Sequence, residues 1–152
     1  MWSAATVVVC ALSLLGRSPQ TLPPIALVEV RPADVSPQAE GFVRRGSEDT
    51  IYLITSTSAF QSAQRARYRC GNVQAVIKVA SVIVHEEWHV RHGPDERGAY
   101  SAQMMALRST LGVDPDRPLF KSVRASMNAV LEAQRSRSAA MIVAGLSVPR
   151  FP

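Results

Sequence analysis

His85-Glu86-Glu87-Trp88-His89 places two imidazoles four residues apart, with a carboxylate beside the first. On a helix, residues four apart share a face, so both rings can reach one metal ion. Glu86 is turned about 100° from His85, away from a ligand position but within reach of a metal-bound water. Two nitrogen ligands and one general base from a single turn form the donor set of an H-E-x-x-H zinc site. Zinc in an open site lowers the pKa of its water to about 7. Glu86 would take that water's proton during attack on a carbonyl and pass it to the departing amine.

The flanking sequence must hold these groups in place. Asn72 to Val90 contains neither Gly nor Pro, and Val76, Ile77, Val79, Ala80, Val82, Ile83 and Val84 give it apolar surface nearly all round. Such a helix belongs in a domain centre, where two imidazoles and a carboxylate need a partner. Gly93-Pro94 must stop it, and a second helix is expected from Pro94 to Leu111, with Gly112 beyond its end. A turn this tight lets a carboxylate early in the second helix swing back toward the histidines. Glu96 shares a face there with Ala99, Tyr100, Gln103 and Leu107. Tyr100 is the nearest candidate donor to a developing oxyanion; its alternative is packing between the helices. Trp88 reads as core and Glu87 as a solvated or supporting carboxylate.

His85-Glu86-x-x-His89 followed by Glu96-x-x-Ala99-Tyr100 resembles the gluzincin branch of the zincin metallopeptidases. The resemblance runs from Thr50 to Gly112. It includes Ile51-Tyr52-Leu53-Ile54-Thr55, similar to the strand that leads into a zincin active-site helix. It implies zinc as cofactor, His85, His89 and Glu96 as ligands, Glu86 as base, and a peptide or protein as substrate. Only six residues separate His89 from Glu96, shorter than the usual gluzincin interval, so two rivals stay open. Asp95 falls where metzincin-type sites place their third ligand, although His92 stands where that family needs Gly. His92 itself is seven residues after His85, on the same face if the helix persists. In the bland alternative, Asp95 and Glu96 cap a helix and the imidazoles bind nothing.

At 152 residues and 47% apolar content the chain suits one domain with a core. Mean hydropathy of +0.04 and the lack of any 18-residue apolar run argue against a spanning helix in its body. The net charge of +5 rests on 17 basic residues, only two of them Lys. That bias reads as coding preference, and no nucleic-acid partner is expected. Ala4 to Leu15 is an apolar run that resembles the hydrophobic region of a secretory signal and points to export, secreted or periplasmic. No basic residue precedes it and no A-x-A site follows, so a misassigned start or a buried N-terminal strand is the alternative. Cys10 and Cys70 have neither zinc-site nor redox spacing, and loss of the signal-like segment would leave Cys70 alone.

The expected architecture is a small α+β, zincin-like domain: a short antiparallel sheet beside three to four helices, one carrying the H-E-x-x-H motif. Residues 1–16 form the signal-like segment, 17–24 a linker, 25–136 the domain and 137–152 a tail. Gly41–Arg45 and Thr50–Thr55 read as a hairpin, with Ile25–Arg31 a weaker strand. Thr50–Thr55 is the expected edge against which an extended peptide would pair. Thr57 or Ser58 should cap a helix reaching Arg69, and a last helix should span Pro118 to Arg135. Two functions fit: a small zinc metallopeptidase, or a noncatalytic binding or structural protein on the same scaffold. Shortness leaves little wall for a cleft and favours the second; the intact Glu86 favours the first.

Overall fold

A helix apolar on every side has to sit at the centre of a domain, and this chain is built around one. The computed structural model describes residues 1–44 and 46–145. Arg45, at the end of the first predicted hairpin strand, and 146–152 of the predicted tail lie outside the described residues. In chain order come α1 (Ala4–Leu15), β1 (Ile25–Val28), β2 (Gly41–Arg44), β3 (Ser47–Ile54), α2 (Ser58–Gln64), α3 (Val73–His92), α4 (Glu96–Met105) and α5 (Pro118–Val143). This is the expected α+β class, with five α-helices and one three-stranded sheet among the described residues.

Asn72 starts α3: its side-chain oxygen accepts from the Ala75 N–H at 3.2 Å, satisfying one of the donors that a helix start leaves free. Ala75, Val76, Ile77, Val79, Ala80, Val82 and Ile83 are all buried. The helices α1, α2 and α4 and the inner face of the sheet pack on α3. One core cluster joins Val7, Leu12, Leu53, Phe60 and Ile83; a second joins Ile77, Leu107, Val113, Phe120 and Val123 under α5.

The sheet differs from the all-antiparallel expectation. Its order is β1-β3-β2, with β2 antiparallel and β1 parallel to β3. The long connection between β1 and β2 carries the chain to the far side of β3. The tight β2–β3 hairpin then reverses direction once, leaving β3 aligned with β1. Residue alternation fixes which face is buried and says nothing of strand direction. Thr50–Thr55 is consequently no edge: it lies mainly in the central strand, where Ile51, Leu53 and Ile54 are buried. The edge strand packed toward the motif is β2.

The N-terminal apolar run is a helix, correcting the strand alternative. Ser3 caps it through the Thr6 N–H, and Gly16 ends it at φ 63°. Val7, Cys10, Ala11 and Leu12 face α3 and are buried. Cys10 forms a disulfide with Cys70, the two Cα atoms 5.5 Å apart; that pairing of residues 60 apart was not expected. The tail also differs, because 137–143 continue α5. Between Pro118 and Gly145 nothing breaks the helix, and Ala139 and Ala140 favour it. No described helix is long and apolar enough to cross a membrane.

Candidate metal centre

The motif occupies the last two turns of α3. Gly93 ends that helix at φ 94°, ψ −161°, a backbone conformation open essentially to glycine alone. Asp95 then caps α4, its carboxylate accepting from the N–H groups of Arg97 and Gly98 at 3.1 and 3.3 Å. Close approach of α4 to α3 depends on small residues. Ala99 is fully buried, and a Cβ on Gly98 would collide with the Trp88 indole. The first residue of α4, Glu96, thereby faces the histidines across the turn.

His85 Nε2, His89 Nε2 and the two Glu96 oxygens meet at one point. The nitrogens are 3.2 Å apart, Glu96 Oε2 is 3.2 Å from His85 Nε2, and Glu96 Oε1 is 3.3 Å from His89 Nε2. These three residues are a group that could hold a metal ion. Separations of 3.2–3.3 Å are those of hydrogen bonds, and equally those between neighbouring ligands ~2.0–2.1 Å from a tetrahedral ion.

The other ring nitrogens have acceptors of their own. His89 Nδ1–H donates to the Gly93 carbonyl at 2.8 Å, and His85 Nδ1 lies 3.0 Å from Gln103 Oε1. A carbonyl can only accept, so His89 carries its proton on Nδ1 and offers Nε2 to a metal when neutral. In the metal-free arrangement burial opposes charging His89, but the Glu96 carboxylate and Gly93 carbonyl outweigh it and raise its pKa. Burial likewise opposes ionisation of Glu96, and hydrogen bonds from His85 and His89 reverse that and lower its pKa. Without an ion, His89 and Glu96 are thus held together as an ion pair.

Glu86 lies beside this triad without joining it, 6% exposed, with its Cγ against Gly41 of β2. A Cβ on Gly41 would come within 2.9 Å of Glu86 Cγ and 3.0 Å of the Tyr52 carbonyl, so this contact requires glycine. Burial lifts the Glu86 pKa to about 7, with His85 and His89 pulling the other way. The Tyr100 ring meets His85 edge-on, centroids 4.5 Å apart. Burial and the charges of Glu96, Glu86 and Glu40 push the Tyr100 hydroxyl up to about 12, so it remains a donor.

The rival ligands lie elsewhere. Asp95 is occupied in capping, and His92 hydrogen-bonds the Trp88 carbonyl while its ring stacks on Trp88. Trp88 is half-buried rather than core. Glu87, expected to be solvated or supporting, is buried and accepts from Arg17 at 2.8 Å and from Arg91 at 2.9 Å. Sequence reasoning did not give Gly93 and Gln103 functional parts. Gln103 carried a signal, since it lies seven residues after Glu96 on the same face. Comparisons with protein-family models, with curated proteins and with solved structures found no match to this chain.

Proposed function

We propose that this chain is a small zinc-dependent peptide hydrolase of zincin-like type. The observation carrying this reading is the convergence of His85, His89 and Glu96 with a buried carboxylate, Glu86, beside them. The three residues would hold the ion, which supplies Lewis acidity toward a water and a carbonyl. Glu86, with a pKa near neutrality, accepts the water's proton as its oxygen bonds to the carbonyl carbon. When the C–N bond breaks, the same proton passes to the departing amine. Tyr100 donates to the carbonyl oxygen as negative charge develops on it.

The edge strand supports an extended peptide as substrate. The Ile54 N–H bonds the Glu40 carbonyl, and alternation along the ladder then turns the N–H and C=O of Gly41 and Val43 away from β3. Gly41 lies against Glu86, and a peptide pairing along this edge would run past it. The Cys10–Cys70 disulfide suits an oxidising compartment as part of this reading, with Ala4–Leu15 retained as α1 rather than removed as a signal.

A noncatalytic protein on the same scaffold is the second reading. One observation favours it: without any ion, His85, His89 and Glu96 already satisfy one another at 3.2–3.3 Å.

Glu86→Gln separates the two. Zinc content should stay equal to wild type, while cleavage of a broad peptide library should fall roughly 100- to 10,000-fold. Equal cleavage by both proteins would overturn the role of Glu86; zinc-loaded wild type that cleaves nothing would favour the second reading. Stability supplies an independent check in metal-free protein. The folded pKa is raised from 4.5 to about 7. The group therefore favours the fold below its unfolded pKa, and that contribution is lost as pH rises through about 7. Gln does not ionise, so the variant should be the more stable at about pH 8, by a margin on the order of 3 kcal/mol. Near pH 4 the two should unfold alike in urea.

A further inference from the structure

Behind His85 runs a chain of buried polar groups that no step above uses. Ser81 is fully buried in the apolar wall of α3, one turn before His85, and Gln103 on α4 is 4% exposed. The Ser81 hydroxyl donates to the Lys78 carbonyl at 2.8 Å. A hydroxyl has one proton, so with that proton committed Ser81 can only accept from Gln103. Gln103 Nε2–H donates to Ser81 Oγ at 3.0 Å, which turns Oε1 of the same amide toward His85 Nδ1. An amide oxygen only accepts, so His85 must carry a proton on Nδ1. The polarity of one backbone carbonyl is thus handed through two side chains to an imidazole.

We propose that Ser81 and Gln103 are positioning residues that lock His85 in its Nδ1–H form, presenting the Nε2 lone pair to the metal. The inference rests on the zinc reading of the triad and adds the device that makes one of its ligands competent. If the amide flipped, its NH2 end would face Nδ1 and His85 would keep its proton on Nε2, the atom that has to bind. Burial makes the device selective, since no bulk water is at hand to satisfy a wrongly turned amide. Gly93 does the same for His89 with a backbone carbonyl, which cannot flip; His85 depends on side chains to reach that certainty.

The test uses the full chain with Ser81→Ala, Gln103→Met and Gln103→Glu. The first two keep volume close to the original, and the third restores an acceptor at Nδ1. Zinc affinity, measured by competition with a chelator, should fall roughly 10- to 100-fold in Gln103→Met and return toward wild type in Gln103→Glu. Ser81→Ala should weaken binding with Gln103 intact, because the amide is then free to turn. Nitrogen-15 NMR of metal-free protein should show a hydrogen-bonded Nδ1 proton on His85 in wild type and Gln103→Glu, and its loss in Gln103→Met. Unchanged affinity and an unchanged Nδ1 signal in both Ser81→Ala and Gln103→Met would overturn the proposal. Wild type that shows the Nδ1 signal, loses it in Gln103→Met and still takes up no zinc would retain the lock and overturn the metal reading instead.

Discussion

Replacing His85 and His89 together by alanine should take bound zinc from about one ion per chain to none. Glu96 would remain, but its carboxylate is partly exposed and stands at the edge of the cluster. One carboxylate cannot hold an ion that the proposed set of three ligands would bind. The change should appear twice, in metal analysis of the purified protein and in its thermal unfolding. Wild type should gain about 4 kcal/mol of stability when free zinc reaches a thousand times its dissociation constant. The double variant should gain nothing. Zinc retained at full stoichiometry after both substitutions would mean that the ion sits elsewhere, and the centre described here would fall.

Deleting residues 1–16 should abolish cooperative folding. The lost helix carries four buried side chains, Val7, Cys10, Ala11 and Leu12, which close one side of the core over α3. Burying a Val or Leu is worth about 1.5–3 kcal/mol each. The Cys10–Cys70 bond closes a 60-residue separation, and such a loop restrains the unfolded chain by about 4 kcal/mol in the entropy model. Together these approach the 5–15 kcal/mol that holds a typical domain. A shortened chain 17–152 should therefore show weak near-ultraviolet circular dichroism and a broad melt. A sharp melt near that of the full chain would mean that α1 only decorates the surface. The single change Cys10→Ala should fall between the two.

Much of the centre was legible because it is local. His85, Glu86 and His89 lie within one turn, so spacing alone gives their relative directions. The Gly93-Pro94 break forces a second helix to begin immediately, and with it Glu96 returns. What escaped depends on contacts between distant segments. Nothing in the alternation of Ile25–Val28 encodes whether it runs parallel or antiparallel to β3. Cys10 and Cys70 meet only because α1 and the start of α3 pack together, and a separation of 60 residues carries no signal. Ser81 is a hydroxyl in an apolar run, one turn before His85 on the same face, and sequence reasoning passed it over. Its partner was visible on α4. Only the distance between the two helices joins them.

The helix that carries the two imidazoles is also the one on which α1, α2, the sheet and α4 all rest. The amides of its buried stretch from Val76 to Glu87 should exchange with deuterated solvent mainly when the whole domain opens. Zinc added at the C-terminal turns should thus slow exchange along that stretch, and along the buried face of α1, by one common factor. The outer half of α5 should be untouched. Beyond Leu131 none of its described residues is buried, so its amides open by fraying alone and should exchange at the same rate with or without the ion.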